Sequence, residues 1–296
     1  MSEFNRKHLM KFLETSAGVN ALRLAAEIVS NEMVSASKYY MGAPDGKYFE
    51  AKDFGENVVK AKKAYVTLNT IMGGETAEMD RFKEGKKQVP ELLTPLGVKK
   101  MIHLFTHLYC FASGCSVAIA YETVRACRQS EVSEGKSIVG PLTSTTKLSV
   151  EEIMGLGYGN KNGLAICQYK FHEGAIVLDM EELGKDYLKP EEREVLLLMG
   201  NRLSARCQGY DDRYLGRDKQ PALMYEIDVY SPEFGDIAES KQELRDVVYN
   251  DKVIDEIRKF YTALNEKSDF PCVPACYSQW KDHFQKMVFQ ELKKFS

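Results

Sequence analysis

The sequence predicts an α+β fold with helical regions at both ends of the chain and an antiparallel sheet between them. Apolar residues recur at helical spacing before residue 119 and again after residue 233. Between 120 and 232, short alternating or apolar runs are separated by glycine and proline, which is typical of antiparallel strands. We therefore predict a mostly helical N-terminal region (1–119), a sheet domain (120–232) and a helical C-terminal extension (233–296).

Composition and charge exclude several classes of function. The chain has 296 residues, 44% of them hydrophobic, so it can bury a full core. The net charge of −3 gives no electrostatic case for a nucleic-acid partner. Seven cysteines without a framework or zinc spacing favour free thiols and no metal. The N-terminus has no apolar signal region, so we predict a cytoplasmic protein or one exported without a conventional signal peptide.

The N-terminal region contains one segment long enough to cross a bilayer. Residues 101–121 carry no formal charge. His103, His107 and Gly114 interrupt the apolar run, and we therefore favour a core helix followed by a buried strand or turn over a membrane span. No glutamate follows His103, so the two histidines do not form a zinc-protease motif. Helices are also predicted around Leu9 to Ile28 and over 57–72.

The sheet domain is predicted from its short apolar runs. Ser149 and Glu152 form a capping box that predicts a short helix after residue 149, and the loop at 155–160 that follows it could close over a ligand. Gly200 and Asn201 suit a two-residue hairpin turn. The predicted strands are Thr123–Arg128, Leu164–Phe171, Ala175–Asp179, Glu194–Met199, Arg202–Gln208 and Leu223–Tyr230.

The C-terminal extension carries two apolar stripes at helical spacing. The members of these stripes are predicted to be core residues. They are Val253, Ile254, Ile257, Phe260 and Tyr261 in one stripe, and Trp280, Phe284, Met287, Val288 and Leu292 in the other.

Two carboxylates stand at the start of the most apolar strand. Glu192 and Glu194 precede the run from Val195 to Leu198. A strand alternates its faces, so both carboxylates should point the same way. Like charges aimed together at the edge of a core are costly unless a ligand or a reaction uses them. This pair is therefore the first candidate for a functional site.

Two further motifs precede the carboxylates in a fixed order. Arg125 lies on the first predicted strand, and the strand Ser144-Thr145-Thr146 follows. An arginine, a Ser-Thr-rich strand and a Glu-x-Glu, in that order, resemble the catalytic motifs of mono-ADP-ribosyltransferases, the class that includes bacterial ADP-ribosylating toxins and arginine-specific transferases. The resemblance covers roughly residues 120–232. It departs from the family pattern at Thr146, where serine is usual, and at Val124, where an aromatic residue usually precedes the arginine.

The resemblance implies a split-sheet transferase domain that uses NAD as a substrate, without a metal. It implies that Glu194 stabilises the oxocarbenium-like transition state, as in glycoside hydrolysis. It also implies that Glu192 binds and activates an arginine of a protein acceptor. Ser144 would orient Glu194, and Thr145 and Thr146 would line the cleft.

The resemblance also implies which residues contact the NAD pyrophosphate and the acceptor. An arginine would contact the NAD pyrophosphate or the ribose beside it through its planar fork. Arg125 and Arg128 should face opposite sides of the strand, so both cannot enter the cleft. Arg125 is preferred because Arg125-Ala126 followed by a second arginine resembles the first motif of bacterial toxins of the family. Tyr187 would lie on the loop that recognises the acceptor.

Simpler interpretations exist for each motif. Glu194 could be a strand-edge carboxylate paired with a surface lysine, and Arg125 could be a strand arginine paired with a surface carboxylate. Glu192 could belong to a solvated charged turn. The Thr-rich strand could be an ordinary strand edge rich in β-branched residues. At the level of function, an NAD glycohydrolase would need Glu194 but not Glu192. A binding or regulatory module would keep the fold without the activity.

Overall fold

The computed structural model describes residues 35–41, 64–73, 89–114, 122–133, 142–181, 189–230, 237–266 and 272–292. Tyr187, the predicted helix around Leu9 to Ile28 and most of the one over 57–72 lie outside these residues. The described chain is α+β, as the sequence predicts, with a seven-stranded sheet and helices. It divides into two compact units, one formed by 1–111 with 234–296 and the other by 112–233.

The helices are numbered in chain order. They are α1 (35–41), α2 (Ala64–Gly73), α3 (Val89–Leu92), α4 (Pro95–Gly114), α5 (Gln129–Ser133), α6 (Val150–Gly155), α7 (Lys241–Val248), α8 (Asp251–Asn265) and α9 (Cys276–Leu292).

The strands of the second unit form one sheet in the order β4-β5-β2-β1-β3-β7-β6. Their bounds are β1 (Glu122–Arg128), β2 (Leu142–Thr146), β3 (Leu164–Phe171), β4 (Val177–Asp179), β5 (Glu194–Leu198), β6 (Arg202–Leu215) and β7 (Pro221–Tyr230).

The sheet is mixed, whereas the sequence predicts an antiparallel one. Strands β3 and β7 pair in parallel, and the other adjacent pairs are antiparallel. Strand β7 reaches β3 only after the chain has passed through β4, β5 and the β6–β7 hairpin. This long excursion allows a parallel pair, which a short hairpin cannot make.

The sheet is strongly curved. Only residues 199–201 separate β5 from β6, so Leu198 and Arg202 lie within about 15 Å along the chain. In a flat sheet the five intervening strand spacings would hold β5 and β6 about 24 Å apart. The sheet must therefore bend to bring these strands together.

The two faces of the sheet carry separate apolar clusters. The inner cluster joins residues from both halves of the curved sheet, and its members are Cys127, Val132, Ala165, Cys167, Tyr169, Phe171, Ala175, Val177, Val195, Leu197, Ile227 and Val229. The outer cluster packs α6 on the opposite face, and its members are Val124, Leu148, Val150, Ile153, Leu164, Ile166, Ala222 and Met224. Side-chain alternation along each strand assigns every residue to one of these two faces.

Local signals in the sheet unit have different outcomes. The capping box before α6 is confirmed, with Ser149 Oγ accepting from Glu152 N and the Glu152 side chain accepting from Ser149 N. The hairpin at Gly200-Asn201 is wrong, because β6 pairs with β7 and not with β5. Gly200 does have a positive φ of 96°. The Asn201 amide explains the turn, since it bonds both backbone groups of Ile176, at 2.7 and 2.8 Å.

The helical unit buries eight of the ten residues that the sequence assigns to its core, whereas Val253 is half-buried and the Leu292 side chain lies outside the described part of the chain. Ile254, Ile257, Phe260 and Tyr261 are buried on α8, and Trp280, Phe284, Met287 and Val288 are buried on α9. Tyr261 donates from its hydroxyl to Thr70 O at 2.8 Å, so α8 is also tied to α2. These contacts explain why two helical stretches far apart in sequence belong to one unit.

Helix α4 contains most of the uncharged segment 101–121, and Met101, Leu104 and Phe105 are buried in the helical unit. Among the described residues, no helix is long and apolar enough to cross a membrane.

Candidate functional site

The three predicted motifs lie on neighbouring strands. The strand order places β5, β2 and β1 side by side. Glu194 pairs with Thr146 across β5 and β2, and Thr146 pairs with Val124 across β2 and β1. The start of β5, the end of β2 and the beginning of β1 therefore form one row across the sheet.

The outer face of this row carries the candidate catalytic residues. Thr146, Glu194 and Val124 are directly opposed and so share a face, and Val124 belongs to the outer cluster. Ser144 pairs with Leu196 and points to the same face, two residues along β2 from Thr146. Ser144, Thr146 and Glu194 are only partly buried. The structure thus brings these three side chains to one partly accessible surface.

Glu192 is not part of the strand, and the argument from strand alternation is wrong for it. A single 3₁₀ turn spans Pro190–Glu192, and Arg193 then reverses the chain in the left-handed region, at φ 44° and ψ 47°. Such a conformation is uncommon for a residue other than glycine and is found in tight turns and at functional sites. The turn, and not the pleat of β5, decides where the Glu192 carboxylate points.

Backbone contacts hold this turn against the end of β2. Thr146 Oγ1 donates to Glu192 O at 2.5 Å and accepts from Leu148 N at 3.1 Å. Lys147 N donates to Arg193 O at 3.1 Å. Thr146, which the resemblance implies as a lining residue of the cleft, therefore also anchors the segment that carries Glu192.

The Glu192 carboxylate has two side-chain partners. Lys189 Nζ donates to Glu192 Oε1 at 2.7 Å, and the Tyr158 hydroxyl donates to the same oxygen at 3.0 Å. The hydrogen bond to Glu192 raises the pKa of Lys189 above its ordinary value. Burial, followed by the hydrogen bond to Glu192, raises the pKa of Tyr158, and the charge of Glu194 acts in the same direction. The four groups therefore form one electrostatic cluster.

The loop at 155–160 contributes Tyr158 to the cluster. Leu156 and Tyr158 are 56% and 40% exposed, which is high for large apolar side chains. Gly157 has a φ of 83°, where a side chain would be strained. The loop thus presents Tyr158 to Glu192, and its closure over a ligand stays a prediction.

An ionic cluster supports the turn from its other side. Lys147 Nζ lies 2.5 Å from both Asp179 Oδ2 and Glu181 Oε2, and Arg193 Nε lies 3.4 Å from Glu181 Oε1. The hydrogen bond from Lys147 lowers the pKa of Glu181. These pairs join the end of β2, the end of β4 and the residue between the two candidate glutamates.

Arg125 lies on the inner face of the sheet, away from Glu194. Its opposite neighbour on β3 is Cys167, a member of the inner cluster. Arg125 Nη1 donates to the carbonyl oxygen of Ser144 at 2.7 Å, and Arg125 Nε is buried without a hydrogen-bond partner among the described residues. The structure therefore does not bring the Arg125 side chain together with Glu194, because the two have opposite parity in the sheet.

Arg128 shares the outer face with Glu194 but is distant from it. It is exposed, and it lies four residues along β1 from Val124, or about 13 Å. The two arginines do face opposite sides of β1, as the sequence predicts, yet neither is beside the two glutamates.

Thr145 has a structural contact on the inner face. Its hydroxyl donates to Val195 O at 2.8 Å, and the residue is buried. Thr145 thus ties β2 to β5 directly behind Glu194.

A polar network on the outer face of β7 was not predicted. His172 Nε2 lies 2.7 Å from Asp228 Oδ1, and Arg206 Nη2 bonds Glu226 and Asp228 at 2.8 and 3.2 Å. His172 also stacks on Tyr230 with centroids 4.5 Å apart. Because its members come from β6, β7 and the end of β3, no local sequence pattern joins them.

Among the described residues, no group of three or more His, Cys, Asp or Glu side chains is arranged to bind a metal ion. His103 and His107 lie on α4 with ring centroids 6.4 Å apart.

Comparison with known proteins adds no relative. No family model matches the chain, and no curated protein or solved structure matches it either.

Proposed function

We propose that the protein is a mono-ADP-ribosyltransferase that moves ADP-ribose from NAD to an arginine of a protein acceptor and releases nicotinamide. The observation that carries the proposal is the row formed by Glu194 and Thr146, with Ser144 on the same face and Glu192 in the adjoining turn. Thr146 and Glu194, 48 positions apart in sequence, are direct cross-strand partners there.

Glu194 is suited to stabilise a cation. It stands at the first position of a strand whose next four residues are buried, so its backbone is held rigidly. A carboxylate fixed in this way needs little reorganisation when positive charge develops on a ribose. In the proposed reaction the bond between ribose C1′ and the nicotinamide nitrogen breaks, and its electron pair leaves with neutral nicotinamide.

Glu192 is suited to receive a cationic acceptor. A guanidinium is always protonated and binds carboxylates through paired hydrogen bonds. One of its nitrogens would attack C1′, form the new C–N bond and lose a proton to Glu192. The position of Glu192 in a turn, beside the exposed Tyr158, leaves it accessible to a side chain of another protein.

Arg125 acts in this proposal as a positioning residue. Its hydrogen bond to the Ser144 carbonyl fixes the strand that carries Ser144. The proposal assigns the contact with the NAD pyrophosphate to neither arginine. The Arg125 side chain lies on the face opposite Glu194, and Arg128 is distant from Glu194.

The proposal is tested with labelled NAD and agmatine, a small guanidinium acceptor. Nicotinamide release and agmatine adduct are measured for the wild type, Glu194→Gln and Glu192→Gln. We expect Glu194→Gln to lower both rates by about 100-fold or more. Glu192→Gln should lose adduct formation and keep nicotinamide release.

A matched control lies in the same turn. Glu191 is exposed and one position from Glu192, so Glu191→Gln removes the same charge without touching the proposed site and should keep both rates. Absence of nicotinamide release from the wild type, or equal rates in the wild type and Glu194→Gln, would overturn the proposal.

An NAD glycohydrolase is a second candidate. The observation that favours it is the pairing of Glu192 with Lys189 and Tyr158, which satisfies one oxygen of the carboxylate internally. In that case water attacks C1′ and nicotinamide leaves, and Glu192→Gln keeps the rate at which free ADP-ribose and nicotinamide form.

A further inference from the structure

Lys189 holds the carboxylate that the proposed acceptor would use. Its ammonium lies 2.7 Å from Glu192 Oε1, three residues away in sequence. Tyr158 donates to that same oxygen, and Oε2 accepts no hydrogen bond from the described residues. A guanidinium that binds a carboxylate in the paired geometry needs both oxygens.

From these contacts we infer that Lys189 is an internal competitor for the acceptor site, an ammonium that occupies Glu192 until a guanidinium displaces it. The inference rests on the proposed function only for the identity of the acceptor. It adds a residue that determines specificity, because an acceptor must bind Glu192 better than a tethered ammonium does.

Three features suit Lys189 to this role. Its side chain is 59% exposed while that of Glu192 is 25% exposed, so the ammonium can swing into solvent while the carboxylate stays in place. An exposed ion pair of this kind contributes little net stability, so displacing it costs little. Tyr158 keeps a hydrogen bond to Glu192 after Lys189 leaves, which preserves the direction of the carboxylate.

The chemistry of the competitor explains a preference for arginine. An ammonium is a compact charge without a planar fork, whereas a guanidinium matches both carboxylate oxygens at once. An acceptor lysine would offer Glu192 only an ammonium ion pair, which Lys189 already supplies.

The test measures agmatine binding directly by titration calorimetry, without NAD. Lys189→Met removes the competing charge and should tighten agmatine binding by about twofold to fivefold. Lys189→Arg restores a cation that can pair with both oxygens, so it should bind agmatine no better than the wild type. A purely structural role for Lys189 would instead make Lys189→Met the weaker binder.

A matched lysine serves as the control. Lys259 Nζ pairs with Asp255 Oδ2 over the same 2.7 Å at an exposed site on α8, so Lys259→Met removes an equivalent charge and should bind agmatine as the wild type does. The gain in Lys189→Met should also shrink at high salt, because exposed charges are screened.

The outcomes separate this inference from the proposed function. Equal or weaker agmatine binding by Lys189→Met, or no binding by either protein, overturns the role of Lys189. If the wild type releases no nicotinamide, the proposed transferase activity is overturned, and the agmatine titration still decides the role of Lys189. If both hold, Lys189→Met should lower the KM for agmatine and leave the KM for NAD unchanged.

Discussion

The two faces of β1, β2 and β5 differ in what they do with polar side chains. On the outer face, Ser144, Thr146 and Glu194 stand in a partly exposed row beside Glu192. On the inner face, Thr145 is buried and Arg125 is half-buried, and each donates a hydrogen bond to a backbone carbonyl. Polar residues of one motif therefore serve a surface on one side and the stability of the sheet on the other.

The comparison shows how strand parity limits a motif. Arg125 and Val124 are neighbours in sequence, yet Val124 packs in the outer cluster while Arg125 faces Cys167 and Tyr169. A shift of one residue moves a side chain to the opposite face. The residues of a motif that matches in order and spacing can thus meet only if they also lie on the same face of the sheet.

Removal of each arginine of β1 is the strongest test of this difference between the two faces. Arg125→Ala should lower the free energy of unfolding by about 2 kcal/mol, because it removes a charged hydrogen bond to the Ser144 carbonyl and leaves a cavity. Arg128→Ala should change it by less than about 0.5 kcal/mol, since Arg128 is exposed. Urea unfolding measures both values.

Binding of NAD to the same variants decides the functional question. If Arg125→Ala keeps the stability of the wild type but loses NAD binding in calorimetry, the Arg125 side chain contacts NAD in the cleft. Its assignment to the inner face would then be wrong. Arg125→Met, which retains much of the volume, shows how far the loss comes from packing.

A smaller effect separates two adjacent threonines. Thr145→Val and Thr146→Val should each lower the free energy of unfolding by about 1 kcal/mol, because each loses the hydrogen bond that its hydroxyl donates to a backbone carbonyl. Only Thr146→Val releases the Glu192 carbonyl, so only this variant should raise the KM for agmatine in the transfer assay. The reverse pattern would place the functional contact on the inner face.

The smallest predicted effect tests whether polarity on the outer face always signals function. The hydrogen bond with His172 holds the pKa of Asp228 below its ordinary value. The carboxylate therefore contributes stability above about pH 3.9, the pKa expected in the unfolded chain, and this contribution is lost as the pH falls through the lower, folded pKa. Unfolding of the wild type and Asp228→Asn between pH 7 and pH 2 measures the change.

The expected result is a difference between the two proteins that is largest near neutral pH and disappears in acid. Nicotinamide release should be unaffected by Asp228→Asn at pH 7. A strong loss of release would make the His172–Asp228 network part of the site and would remove the contrast with the Glu192 turn.

Local patterns predicted much of the architecture. Strand β3 was predicted with its observed bounds, and the capping box before α6 was predicted from Ser149 and Glu152. Such signals depend on neighbours in sequence, so they survive without knowledge of the fold. The parallel pairing of β3 with β7 and the turn at Asn201 depend on distant partners, which no local pattern reveals.

The candidate site divides in the same way. The adjacency of β2 and β5 was implied by the resemblance, in which Ser144 orients Glu194. The 3₁₀ turn at Glu192, its contacts with Tyr158 and Lys189, and the inner position of Arg125 come from register and tertiary packing. The strand alternation that was assumed for Glu192 fails because Arg193 breaks the extended backbone.

The left-handed residue between the two glutamates has a consequence for how such a protein can change over evolution. Glu194 is held in the sheet, where an insertion would shift a whole strand, whereas Glu192 sits in a surface turn that ends at Arg193. Residues can be inserted or exchanged in the turn without altering the register of β5. Under the proposed function, the choice of acceptor can therefore diversify at Glu192 while the reaction proposed for Glu194 is inherited unchanged.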